Sequence, residues 1–164
     1  MLKYTIRQAT ISDAATIAEH RLAMFRDMGQ VPTAALAGKL LAASTTALAE
    51  ILRDGSYVGW LAVDADNRVI AGVGAHVKPQ LPRISHGSRD VSAGPVPLVV
   101  NVYTDPHWRR QGVARALMAE LMDWALAGGC DRVMLHASDD GRHLYEAMGF
   151  VPTNEMRWTP TERS

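Results

Sequence analysis

The chain has 164 residues, 48% hydrophobic and 21% charged, which is the length and balance of one globular domain and excludes a disordered or fibrous chain. Seventeen Lys and Arg offset seventeen Asp and Glu, so nothing suggests a protein that neutralises a phosphate backbone, and nucleic acid is not an expected partner. The single cysteine, Cys130, excludes an internal disulfide, and the N-terminus lacks a signal-peptide stretch; with no window read as approaching the ~20 apolar residues of a membrane span, the expectation is a cytoplasmic protein without a membrane partner.

Tyr4 to Arg7 alternates as a short strand. Ser12-Asp13 offers an N-cap for a helix to about Met28, with Ala15, Ile17, Ala18, Leu22 and Phe25 on one face. The Ala- and Leu-rich run Ala34 to Leu52 predicts a second helix, largely buried because it carries few charges. Tyr57 to Val63 and Val69 to Val77 are β-prone runs joined by a turn-rich Asp64-Ala65-Asp66-Asn67, an antiparallel hairpin. Pro79 to Pro97, with four prolines and two glycines, reads as a long irregular loop, and with His20 to Met28 is expected to border an acceptor pocket.

Leu98 to Tyr103 predicts an apolar strand, Thr104 to Gln111 a polar turn, and Val113 to Ala127 a helix striped by Val113, Leu117, Leu121 and Trp124. Arg132 to Ala137 is a further strand, and Ser138 to Asp140 opens a short helix that stops at Gly149. Phe150-Val151 and Glu155 to Thr159 supply the final strands. This order predicts an α/β protein of the mixed α+β kind: one domain over residues 1–164, with a central mixed, mostly antiparallel sheet flanked by helices. The unit from Leu98 to Ala137 should be a parallel crossover, whose ligands sit at the carboxyl end of the strand beside the helix N-terminus.

That position holds Arg109-Arg110-Gln111-Gly112-Val113-Ala114-Arg115. A helix N-terminus presents unpaired N–H donors and about half a positive charge, and small residues at 112 and 114 keep those donors accessible, so a pyrophosphate would suit it. The arginines add charge for further phosphate oxygens. An Arg or Gln, a Gly three on and a Gly or Ala two further arise by chance in on the order of one chain in ten, so the motif is judged by its setting between an apolar strand and an amphipathic helix.

In that setting, NVYTDPHWRRQGVARALMAELMDWA followed by DRVMLHASDDGRHLYEAMGF closely resembles the acetyl-CoA-binding core of the GNAT superfamily of N-acetyltransferases, clearly over about Val99 to Phe150. The resemblance implies a single N-acetyltransferase domain in which Val102, Tyr103 and Thr104 splay from the neighbouring strand and bind the pantetheine arm. It also implies a pyrophosphate held at Arg109, Arg110, Gln111, Gly112, Val113, Ala114 and Arg115, with Ser138 near the cofactor. Ala114 stands where the family more often has Gly. Tyr145 matches the residue that in many relatives protonates the leaving thiolate, a reasonable task for a phenol of ordinary pKa about 10 facing a thiol of about 8.5. The implied reaction passes an acetyl group from acetyl-CoA to a primary amine by direct attack, without metal. The acceptor is a small-molecule or peptide amine, and a homodimer is an allowed assembly.

The remaining residues take plainer readings. His20, His76, His86, His107, His136 and His143 could each serve as a base, but an isolated His is more often surface or satisfied core, so no base is assigned. Asp139-Asp140 is read as capping, Cys130 as a packing thiol, and Met24, Met28, Met118 and Met122 as core, with Met24 and Met28 also placed to border a pocket. The alternative to an enzyme is a catalytically inactive acyl-CoA-binding regulatory module; a nucleotide-binding P-loop or Rossmann protein lacks its motif here.

Overall fold

The hairpin Tyr57–Val77 forms the centre of the molecule. In the computed structural model, which describes residues 3–160, β1 (Tyr4–Gln8), β2 (Tyr57–Asp64), β3 (Val69–Lys78), β6 (Val96–Thr104) and β7 (Met134–Leu135) make one sheet in the order β1-β2-β3-β6-β7. All neighbours are antiparallel except β6 and β7, which run parallel as the crossover through α3 (Val113–Ala127) requires. The strands β2 and β3 read YVGWLAVD and VIAGVGAHVK, nearly continuous apolar runs, because both of their faces are covered.

Alternate residues of β2 serve opposite faces. Tyr57 and Leu61 join Ala14, Ile17, Ala18 and Leu48 of α1 (Ala14–Asp27) and α2 (Ala34–Asp54). Trp60 and Ala62 join Val113, Leu117, Met118 and Leu121 of α3, with Tyr145 of α4 (Asp139–Ala147) in the same cluster. The α3 stripe expected from the sequence is the observed one: Val113, Leu117 and Leu121 are buried, and Trp124 stands edge-on to Trp60 at 5.9 Å.

Several expectations are corrected. Asp13 does not cap α1 with its side chain; its carboxylate takes both terminal nitrogens of Arg7 at 2.8 and 2.9 Å and the Thr10 N–H at 2.8 Å. Those bonds, Arg7's first, hold the carboxyl below its usual range. The second helix is not largely buried: only Ala37, Ser44 and Leu48 are. By length and composition it is also apolar enough to cross a membrane, with an 18-residue window of mean hydropathy 1.4, contrary to the expectation that no window comes near a membrane span. Here it packs on α1 and β2.

The loop Pro79–Pro97 is not wholly irregular. It contains a ribbon of β4 (Arg83–Ile84) and β5 (Val91–Ser92), and its last two residues already belong to β6. Arg83 pins it, bonding the Gly94 carbonyl at 2.9 Å and pairing with Asp131. The strand expected over Arg132–Ala137 shrinks to Met134–Leu135, since it has a ladder partner only at Leu98 and Val99. The final strands at Phe150–Val151 and Glu155–Thr159 do not form among the described residues; Val151, Met156 and Trp158 stand exposed, with no strand beside them to complete a ladder.

One glycine shows how tightly the centre is packed. A Cβ on Gly74 would lie 1.7 Å from the Tyr57 hydroxyl oxygen and 2.2 Å from its Cζ, so the strand is bare where the phenol crosses it. Gly74→Ala should therefore displace the Tyr57 ring and destabilise the protein by about 1–3 kcal/mol, the usual cost of overpacking. The measurement is a thermal melt, where Tm should drop by roughly 2–12 °C for a domain of this size.

Candidate active site

The turn after β6 is built around left-handed residues. Arg110 has φ of +60° and Gly112, at the N-cap of α3, has φ of +81°, a conformation glycine takes without strain. No side chain caps α3, and the first amide bonded back across the turn is that of Ala116, to the Gly112 carbonyl at 3.0 Å. The N–H groups of Val113, Ala114 and Arg115 thus have no partner within the helix, the arrangement that suits an anion at a helix N-terminus. Two of the expected anion ligands are engaged otherwise. Arg109 donates Nε to the Thr104 carbonyl at 3.0 Å and pairs with Asp27 at 2.8 Å, tying the turn to the end of α1. The Gln111 amide nitrogen donates to the His107 carbonyl at 2.8 Å. Arg110 and Arg115 are exposed and carry no ion pair among the described residues.

A β-bulge lies upstream. Gly74 faces Asn101 and Ala75 faces Val99, so Val100 is the extra residue of β6. Pairing with β7 ends at Val99, leaving the segment that contains Val102, Tyr103 and Thr104 with a ladder partner only on the β3 side. Its other edge has no strand partner, and the Thr104 carbonyl there accepts from Arg109 Nε. On the far side of that opening, Ser138 caps α4 by accepting from the Gly141 N–H at 3.2 Å, so its hydroxyl oxygen is already in use. The Tyr145 ring is buried, edge-on to Phe150 at 6.0 Å, and burial pushes its phenol above the ordinary value. That keeps it a protonated donor, and its hydroxyl has no hydrogen-bond partner among the described residues.

On the opposite face, an open cavity of about 280 Å³ lies between α1, α2 and the sheet. The bulge brings Asn101 to this face, where its Nδ2 donates to the Tyr57 hydroxyl at 3.0 Å and its Oδ1 accepts from Arg21 at 2.9 Å. Burial pushes the Tyr57 phenol up to about 12. His76, edge-on to Tyr57 at 6.1 Å, is held below its usual value, first by burial and then by the charges of Lys78 and Arg21. His20 stacks on Tyr103 at 4.5 Å, and burial lowers its pKa to about 4.

Arg21, Asn101, Tyr57 and Ser44 line this region and were not singled out from the sequence. Asn101 had a signal, being the one polar residue in LVVNVY. Arg21 had none, since its partners lie 79 and 80 residues away. No residue of the Pro79–Pro97 loop lines this cavity, nor do Met24 and Met28; from the segment His20–Met28, Arg21 does.

The chain matches the acetyltransferase (GNAT) family over residues 23–150 and belongs to it. It is 29% identical over 158 residues to aminoglycoside N(6')-acetyltransferase type 1 of Stenotrophomonas maltophilia, covering 93% of this chain and 89% of that one. A 69-residue stretch is 30% identical to glucosamine 6-phosphate N-acetyltransferase of Trypanosoma brucei brucei, covering 42% of this chain and 44% of that one. Among solved structures, a GCN5-related N-acetyltransferase from Ralstonia eutropha superposes with a TM-score of 0.82 at 30% identity, covering 96% and 98% of the two chains. A predicted acetyltransferase of Clostridium acetobutylicum, solved with acetyl-CoA, shares the fold at a TM-score of 0.79 and 24% identity, covering 96% of each chain. The protein is an acyltransferase of the GNAT type.

His20 generates a pH prediction. Unfolded, it takes a proton near 6.5; folded, it resists until about 4. The unfolded state thus binds more protons between these values, and stability falls as pH drops through that window, by up to about 3 kcal/mol. Denaturant melts across the window should show a shallower loss for His20→Gln than for the wild type. Identical slopes would mean that His20 charges inside the folded protein.

Proposed function

We propose that the protein transfers the acetyl group of acetyl-CoA to a primary amine by direct attack in a ternary complex. The observation that carries this reading is the uncapped start of α3, with Gly112 left-handed and the amides of Val113 to Arg115 without a partner in the helix, set beside the edge of β6 that leaves β7 after Val99. Helix amides and dipole suit a pyrophosphate, Arg110 and Arg115 add charge, and the strand edge at Val102–Tyr103, which has no partner on the β7 side, suits an amide-bearing arm. The side chain of Arg109 acts at one remove in this scheme, holding the turn through Thr104 and Asp27.

In the reaction a C–N bond forms and the C–S bond breaks; the amine gives up a proton and the sulfur gains one. Tyr145 supplies the second proton. A phenol is protonated at neutral pH even at its ordinary value, and burial raises that of Tyr145 further, while the packed ring fixes where the donor stands. Much of the rate comes from holding amine and thioester together.

Gly112→Asp tests the anion site. An Asp tolerates the left-handed conformation and suits a helix N-terminus, so the fold should survive, while its charge repels the pyrophosphate. Calorimetry should show acetyl-CoA binding weakened by about tenfold or more, with the uncharged Gly112→Asn much less affected. An unchanged affinity in the folded Asp variant would remove the assignment.

Tyr145→Phe tests the acid. It keeps the ring, so stability and acetyl-CoA affinity should hardly change, while single-turnover acetyl transfer should slow by roughly 10²- to 10⁴-fold. Wild-type single-turnover rates would leave Tyr145 a packing residue.

A further inference from the structure

The cavity on the α1/α2 face has a definite chemical character. Its walls are mainly hydrocarbon, from Leu40, Ala43, Ala47, Leu48, Ile51 and Val100, and no Asp or Glu lines it. Its one formal charge is Arg21. That guanidinium is half-buried, stacks 5.0 Å from the Phe25 ring centre, and bonds Asn101 Oδ1 and, more weakly, the Val100 carbonyl. Both partners are neutral, and no carboxylate lies within ion-pair distance of Arg21 among the described residues. A half-buried cation held in place with donors to spare selects an anion, and a planar fork suits a carboxylate. His76 beside it adds no negative charge, and Lys78 lies close enough to act on it.

Resting on the acetyltransferase reading above, we propose that this cavity takes an acceptor amine with an apolar body and a carboxylate that pairs with Arg21, as in an apolar amino acid. Aminoglycosides and other polycations are excluded, because several ammonium groups would have to be desolvated beside Arg21 without one carboxylate to receive them. Part of the apolar surface of α2, at Leu40, Ala43, Ala47 and Ile51, lines this open cavity.

The test uses the whole protein with acetyl-CoA and three acceptors: leucine, leucinamide and the aminoglycoside kanamycin. Leucine should exceed both others in kcat/KM by about tenfold or more, the scale of a charge-assisted hydrogen bond. Arg21→Gln should bring leucine within about threefold of leucinamide, while Arg21→Lys retains most of the preference. Acetyl-CoA affinity should stay at the wild-type value in both variants, and their melting curves check the fold.

A second arm needs no turnover: NMR titration with N-acetyl-leucine and its amide should show the acid binding more tightly in the wild type and equally in Arg21→Gln. If acetyl-CoA is not bound or used but the acid still binds through Arg21, the acetyltransferase reading fails and the cavity assignment stands. If kanamycin is the best acceptor, or acid and amide bind alike in the wild type, the cavity assignment is overturned and acetyl transfer is untouched.

Discussion

One extra residue in β6 organises both halves of the site. Without a bulge, Val100 and Asn101 would point to opposite faces of the sheet. With Val100 inserted between the Ala75 and Gly74 partners, Asn101 turns to the α1/α2 face, where it bonds Tyr57 and Arg21, and Val102 returns to the α3 cluster. At the same point the strand parts from β7. A single irregularity thus opens a backbone edge on one side and places a polar network on the other. Gly74 belongs to the same constraint, since only a bare backbone lets the Tyr57 hydroxyl reach across β3 to Asn101.

The anion end of the site is held by contacts distant in sequence. The turn at Arg110–Gly112 needs two left-handed residues, and its geometry is secured by Arg109 bridging Thr104 and Asp27 and by Gln111 folding onto His107. Two of the motif's four polar side chains, Arg109 and Gln111, are therefore spent on shaping the loop, which leaves the backbone amides, Arg110 and Arg115 for an anion. This is economical for a doubly charged group, because amides fixed in a helix need no reorganisation to meet it.

What could be read from the sequence follows from how local its cause is. The α3 helix and the β2–β3 hairpin are set by periodicity and turn residues within a few positions, and both lie where they were expected. The small residues at 112 and 114 were equally local, whereas the left-handed turn at Gly112 is visible only in the structure. The shrinkage of β7 and the absence of strands beyond Ala147 among the described residues depend on whether another chain segment comes alongside, which no residue pattern encodes. The Ala-Leu composition of α2 indicates an apolar helix but not what its apolar side faces, and here that is an open cavity. Arg21 was the least legible: on α1 it is one surface-like charge among several, and its meaning comes from Asn101, 80 residues on.

Family membership and acceptor choice rest on different physical features. The chain resembles an aminoglycoside acetyltransferase along almost its whole length, because the sheet, the crossover and the α3 turn are common requirements of the fold. The cavity proposed for the acceptor, by contrast, is lined by a few side chains on α1, α2 and the bulged strand, and exchanging one acidic residue for one basic residue in such a cavity reverses which charge is accepted. At 29% identity most such positions are free to differ while the scaffold persists. A cavity walled by hydrocarbon with Arg21 as its one charge is a poor host for a polyamine, so the relative's name describes the shared chemistry of acetyl transfer better than it describes what enters this pocket.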